Sequence, residues 1–187
     1  TLDARHDGVI RIVNLDQERG DLALRKDGSE LVVMRRNGEV HVLDEQGRSR
    51  GKYTVPYGAH LKLKEGEPVK KGDRIAEWDP FSIPILAEVD GTVKFGDITE
   101  GKTMQEQVDE VTGLSRKVIV EFKGGDLRPR ISLKDDKGKT AKVPGTNAVA
   151  RHFLSVGVNI VVSEGDHVVA GDILAKIPRE TQKTKDI

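Results

Sequence analysis

The chain has 187 residues, enough for one or two domains, with 36% hydrophobic, 33% charged and only 4% aromatic residues, so any core must rest on Val, Ile and Leu. Lys and Arg number 31 and Asp and Glu number 31, a balance that argues against a chain whose main task is gripping nucleic acid. There is no cysteine, which excludes disulfides, thiolate nucleophiles and Cys-ligated zinc or iron–sulfur sites, and no apolar run of about 18 residues that could cross a membrane as a helix.

The first stretch, "TLDARHDGVI", has neither an initiator Met nor a signal-peptide pattern, and both ends read as cut from a longer protein. Asp7-Gly8 opens a strand in "HDGVIRI". "SELVVMRRNGEVHVLDEQG" predicts two strands joined by a hairpin turn at Asn37-Gly38, with Val40 and Val42 on one face and Glu39 and His41, expected to be exposed, on the other. A hairpin follows in "EVHVLDEQGRSRGKYTVP". Then comes "EGEPVKKGDRIAEWDP" (65–80), with the only tryptophan, Trp78, expected at a core or seam. "WDPFSIPILAE", with Pro80 and Pro84, reads as a connector between two bodies.

"VDGTVKF" (89–95) repeats the Asp-Gly opening. "KTMQEQVDEV" (102–111) spaces Met104, Val108 and Val111 as a short helix would, with an irregular excursion as the alternative. "RKVIVEFKGGD" predicts a strand before Gly124-Gly125, and "RISLKDDKGKTAKVPG" a hairpin turning near Asp136–Gly138. Last comes "EGDHVVAGDILAKIPR" (164–179), where six of sixteen columns match 65–80. In it Ile173, Ala175 and Ile177 are expected inward, with Leu174 and Lys176 opposite.

The chain is thus written twice, roughly over 5–80 and 87–179. The offset between matching residues grows from 83 (Gly8 to Gly91) to 99 (Gly66 to Gly165), placing extra residues in the second copy around 98–116 and 145–152. Two small β domains are expected, 1–82 and 83–187, the second with a longer excursion near 98–116.

Few residues offer chemistry. The histidines (His6, His41, His60, His152, His167) form no metal-ligand spacing, with His152 expected to be packed or half-buried. Asp135 and Asp136 read as a turn. Asp21, Asp73, Asp97, Asp172, Glu65 and Glu164 sit beside glycines and read as turn caps, not as a paired-carboxylate site. "GDHVVAG" lacks Gly-Lys-Ser/Thr and is no phosphate loop. The basic strings Arg25–Arg36, Lys70–Arg74 and Asp126–Arg130 read as solvated surface, with Arg35 and Arg36, or Arg128 and Arg130, as candidates to face a protein partner or duplex DNA.

The repeated phrase resembles the hairpins of biotinyl and lipoyl carrier domains. The carrier lysine of that family would lie in a hairpin, here Asp79–Ile83, near Ser82. No lysine lies between Arg74 and Lys94, Met34 and Met104 flank no lysine, and Lys183 and Lys185 have no returning strand. A swinging arm is disfavoured at both copies, although a carrier or adaptor domain of a biotin- or lipoyl-dependent enzyme stands as the alternative reading.

A longer resemblance covers nearly all of 5–187. "YTVPYGAHL…EGEPVKKGDRIAEWDPFSIPILAEVDGTVKFGDI", "EQVDEVTGLSRKVIVE", "DLRPRISLKDDKGK", "KVPGTNAVARHFL" and "GDILAKIPRETQKTKDI" resemble the lineage-specific insertion in the trigger loop of the bacterial RNA polymerase beta-prime subunit. That resemblance implies a mainly β fold of two tandem sandwich-barrel hybrid domains, related to the biotinyl/lipoyl carrier fold. It implies a segment without activity in a parent nucleotidyltransferase, modulating trigger-loop motion, elongation, pausing and transcript cleavage. The implied partners are other polymerase regions and subunits (beta, beta-prime, alpha, omega, sigma), with weak contact to downstream DNA, no membrane and a cytoplasmic location. The family's Asp-x-Asp-x-Asp magnesium triad and zinc cysteines have no match here. No catalytic, cofactor-binding or metal residue is therefore assigned, and the parent's magnesium and zinc belong outside the segment.

Overall fold

The computed structural model describes residues 1–25, 28, 30–108, 110–143 and 146–179, and divides the chain into units 1–79 and 80–187. The expected Lys183 and Lys185 lie outside the described residues. All regular structure among the described residues is β-strand.

Unit one has β1 (Leu2–Asp3), β2 (Gly8–Val13), β3 (Leu22–Leu24), β4 (Leu31–Val33), β5 (Gly38–Leu43), β6 (Ser49–Val55), β7 (His60–Leu61), β8 (Pro68–Val69) and β9 (Arg74–Glu77). Unit two has β10 (Ser82–Leu86), β11 (Gly91–Gly96), β12 (Met104–Val108), β13 (Ser115–Ile119), β14 (Arg130–Lys134), β15 (Arg151–Phe153), β16 (Asn159–Ile160), β17 (His167–Val168) and β18 (Ile173–Pro178). The sheet orders are β1-β9-β7-β4-β3 and β6-β5-β2-β8 in unit one, and β10-β18-β16-β13-β12 and β15-β14-β11-β17 in unit two. Every strand of unit two occupies the place of the strand nine earlier, and every pairing is antiparallel. The duplication read from two short phrases extends to the whole topology.

Each unit closes its two sheets around one core, a barrel-type β arrangement. In unit one Ile10, Val40, Val42 and Val55 from the four-stranded sheet meet Val33, Leu61, Ile75 and Ala76 from the five-stranded one, with Trp78 packed against them half-buried. In unit two Val93, Ile131 and Leu133 meet Ile119, Ile160, Leu174 and Ala175. The small, stiff β-branched side chains suit strands this short. Full burial of each larger one contributes about 1.5–3 kcal/mol.

Matching positions lie 83 apart at Gly8 and Gly91, 86 at Val33 and Ile119, 91 at Val40 and Ile131, and 99 at Val69 and Val168. The extra residues of unit two therefore enter in three places: before β13, between β13 and β14, and between β14 and β15. The middle one, in 120–129, falls outside both expected stretches.

Some local expectations fail. Asn37-Gly38 does not join a hairpin: β4 pairs with β3 and β7, while β5 pairs with β2 and β6. Asn37 is left-handed (φ 64°) and turns the chain from one sheet into the other. A Cβ on Gly38 would lie 2.6 Å from the Leu15 side chain, so the glycine there serves close packing.

Of the two readings left open at 102–111, the short helix is not the one that forms: a turn leads into β12. The Thr103 hydroxyl donates to the Asp97 carbonyl at 2.7 Å and accepts the Thr99 amide at 2.9 Å, which winds the turn. Met104 through Val108 then pairs with Ser115 through Ile119.

The connector is strand β10, which among the described strands pairs with β18 alone at a sheet edge, where Pro84 leaves no ladder bond unmade. In β18, Leu174 and Ala175 are the buried pair, and Ile177 is 38% exposed. The register shift between Ile85 and Leu86 breaks the simple alternation there.

Candidate functional site

The repeated carboxylates, read from the sequence as turn caps, are each bound to backbone of their own unit. Asp7 Oδ1 accepts the Lys71 amide at 2.8 Å, and Asp90 Oδ1 accepts the Ala170 amide at 2.9 Å. Asp73 accepts the Lys70 amide and Asp172 the Val169 amide, both at 2.9 Å. Glu67 accepts the Lys64 amide at 3.1 Å and Asp166 the Ser163 amide at 2.9 Å. Glu65 reaches the Ile12 amide at 2.7 Å and Glu164 the Phe95 amide at 3.0 Å. The phrase is repeated because its three carboxylates, with the Asp of the Asp-Gly opening, close the same turns and strand ends in each copy. Backbone bonds complete the pattern: Gly66 and Gly165 donate to Ile10 and Val93, and Gly72 and Gly171 to Ala4 and Ala87.

The β5–β6 turn follows the same logic. Asp44 Oδ1 accepts the amides of Gln46 and Arg48, and Asp135 Oδ1 those of Lys137 and Lys139. These amide bonds, led by those from Arg48 and Lys139, hold both carboxyls below the usual aspartate range. "KDDKG" is a turn, as its sequence suggests.

Asp21 and Asp97 are different. The Asp21 side chain is 6% exposed and meets Arg19 Nη2 at 2.7 Å, Arg35 Nε at 3.3 Å and the Asp16 amide at 2.9 Å. Burial pushes its pKa up, but the amide and the two guanidiniums outweigh burial and hold it low. Asp97, left-handed at φ 55° where unit one has left-handed Asn14, accepts the Arg128 amide at 3.0 Å and Arg130 Nη1 at 3.1 Å. The amide bond leads the lowering of its pKa.

The histidines are spread apart. His6 and His167 are exposed. His41, expected at the surface, keeps 16% of its side chain exposed and bonds Glu39 at 2.8 Å. His60 Nδ1 meets Glu30 at 2.9 Å beside Lys62, which pairs with both Glu30 and Glu77. Burial, with Arg25, lowers the His60 pKa. His152 is half-buried as expected, and its Nε2 is buried without a partner among the described residues. Among the described residues no three His, Asp or Glu side chains are placed to hold a metal ion.

Of the basic strings, Arg35 is held by Asp21, and Arg74 by Glu77 at 2.6 Å and Asp3 at 3.4 Å. Arg128 lies over the Phe153 ring, 4.4 Å from its centroid. Open grooves lie elsewhere on the surface. One of about 660 Å³ in unit one is lined by Leu15, Leu22, Leu24 and Leu31 with Arg19 and Lys64. One of about 350 Å³ in unit two is lined by Phe122, Leu127, Arg128 and Phe153. A smaller recess of about 180 Å³ gathers Lys94, Arg130, Lys134 and Arg151, drawn from three strands. Sequence reading singled out only Arg130 of these, because the four are dispersed along the chain.

No family model matches the chain. Over all 187 of its residues the chain is 52% identical to the DNA-directed RNA polymerase subunit beta′ of Syntrophobacter fumaroxidans, and it spans 13% of that relative's length. No helix of the described residues is long and apolar enough to cross a membrane.

Proposed function

We propose that this chain is a non-catalytic module inserted in the beta-prime subunit of a bacterial DNA-directed RNA polymerase, where it biases the trigger loop between its open and folded states. The carrying observation is the 52% identity that runs the whole chain yet spans only 13% of its relative. The role of the repeated acids supports the same reading, since carboxylates committed to turn amides build a body and leave nucleotidyl transfer to the rest of the enzyme.

A body that makes different contacts in two states of the loop shifts their populations without touching substrate. About 1.4 kcal/mol of differential contact changes the ratio tenfold. Elongation, pausing and transcript cleavage would all respond. Its partners in this setting are the neighbouring beta-prime regions and the beta, alpha, omega and sigma subunits, in the cytoplasm. The parent's magnesium and zinc are held elsewhere in the subunit.

The test is to excise the segment from the parent subunit, join the ends, and follow elongation through a template with defined pauses. Nucleotide addition is expected to persist with altered pause lifetimes. Unchanged pausing and cleavage would refute the modulatory role, and loss of nucleotide addition would refute the non-catalytic one.

A further inference from the structure

On the four-stranded sheet of unit two, Val93, Ile131 and Leu133 face the core, so Lys94, Arg130, Ser132 and Lys134 share the opposite face. Lys94 pairs across to Ser132, and Ser132 across to Arg151, giving one row over three strands. Along the central strand Arg130, Ser132 and Lys134 alternate, and Arg128 extends the series two residues earlier, its guanidinium resting over Phe153 on the adjoining strand. Ser132 is 6% exposed and lines the recess of about 180 Å³ that Lys94, Arg130, Lys134 and Arg151 also line.

Two of these cations have acidic company: Lys94 with Glu164 at 3.6 Å and Arg130 with Asp97 at 3.1 Å. Lys134 donates to the neutral Thr140 hydroxyl at 2.8 Å. Among the described residues no carboxylate pairs with Lys134 or with the exposed Arg151. The face is therefore net positive on a chain whose overall charge is zero.

Unit one provides the contrast within the same fold. Its cross-strand row is Arg11, His41 and Lys52, but Leu43 stands at the place of Lys134 and Glu39 at that of Arg130. Glu39 also bonds His41 at 2.8 Å. The positive face is thus a property of unit two and not of the topology.

We propose that this face of unit two binds the phosphate backbone of nucleic acid, independent of base sequence, with one phosphate seated in the recess over Ser132. A hydroxyl donor ringed by Lys and Arg suits a tetrahedral oxyanion. Cations repeating along one strand suit a polyanion of regular spacing better than a single carboxylate. Arg128 covers one face of the Phe153 ring and takes that face away from base stacking, which favours phosphate contact there.

The inference gives a specific face to the DNA contact that the polymerase reading also implies, and its test is separate from that reading because it uses the 187-residue chain alone. Fluorescence anisotropy of a labelled duplex of about 20 base pairs, read between about 50 and 200 mM salt, should give micromolar or weaker binding that falls steeply with salt. Arg151→Ala and Lys134→Ala should each weaken binding and reduce the salt slope by about one, with Arg151→Lys restoring most of it. Lys52→Ala, at the matching place in unit one, should change neither. Unaltered thermal unfolding of each variant confirms that the fold survives. No binding, equal loss from Lys52→Ala, equally tight binding of inorganic phosphate alone, or equal competition by polyglutamate would each overturn the proposal, the last in favour of an acidic protein surface.

Discussion

The Glu65 carboxylate accepts the amide of Ile12 at 2.7 Å, across 53 residues of sequence. In unit two Glu164 makes the same bond to Phe95 at 3.0 Å. Each ties the start of the repeated phrase to the strand at the centre of its unit. If these acids act as acceptors only, Glu65→Gln keeps most of the stability, while Glu65→Ala loses about 0.5–1.5 kcal/mol. Urea unfolding of the two variants measures the difference. A Gln variant as damaged as the Ala variant would mean that the charge itself is required.

The glycines of the two Asp-Gly openings are fixed by close approach. A Cβ on Gly8 would lie 2.3 Å from the Leu43 carbonyl oxygen, and one on Gly91 would lie 2.9 Å from the Lys134 carbonyl oxygen. Both obstacles are backbone and cannot swing away. Gly8→Ala is expected to destabilise by about 1–3 kcal/mol, and Gly91→Ala by less. Denaturation midpoints that rank the two in reverse would contradict the packing argument.

Asp21 should make the chain acid-sensitive. Its folded pKa lies below the ordinary 3.8, so the stability it supplies is full above that value and is lost as pH falls through the lowered one. Asp21→Asn is expected to cost about 1–3 kcal/mol near neutral pH, because a buried charged acceptor is removed from Arg19 and Arg35. The gap between variant and parent should close as pH drops below 3.8. A gap that stays constant with pH would show that Asp21 is not the titrating group.

His152 occupies the place that Tyr53 holds in unit one, where the tyrosine hydroxyl accepts the Arg5 amide at 3.0 Å. Among the described residues the histidine finds no such partner for its Nε2, and burial, partly opposed by Glu88, lowers its pKa from 6.5. The unfolded chain then binds a proton that the folded one refuses. Stability should fall as pH drops below about 6.5, the loss being complete below the lowered value. His152→Phe removes both the orphaned nitrogen and this titration. It is expected to match or exceed the parent's stability and to flatten the profile between about pH 8 and pH 5. A steeper profile in the variant would overturn the assignment.

What the sequence made legible was local and repeated. Asp-Gly openings, the acid-glycine phrase and the Asp135 turn each carry their geometry within a few residues. What it hid depended on partners far along the chain. Asn37-Gly38 has hairpin chemistry, yet β4 and β5 belong to different sheets. Met104, Val108 and Val111 have helical spacing, yet pairing with 115–119 prevails, and Val108 and Val111 stay 64% and 94% exposed. The positive face needs 94, 130, 134 and 151 to meet, and only the three-strand register brings them together.

The central claim is that this body biases the trigger loop without taking part in the chemistry. A cysteine pair placed in the flanking trigger-loop chain and in its folded-state neighbour can report the folded fraction by disulfide trapping, and the segment itself adds no thiol to compete. The account predicts a several-fold change in that fraction when the segment is removed from the parent polymerase. The same folded fraction with and without the segment would contradict it.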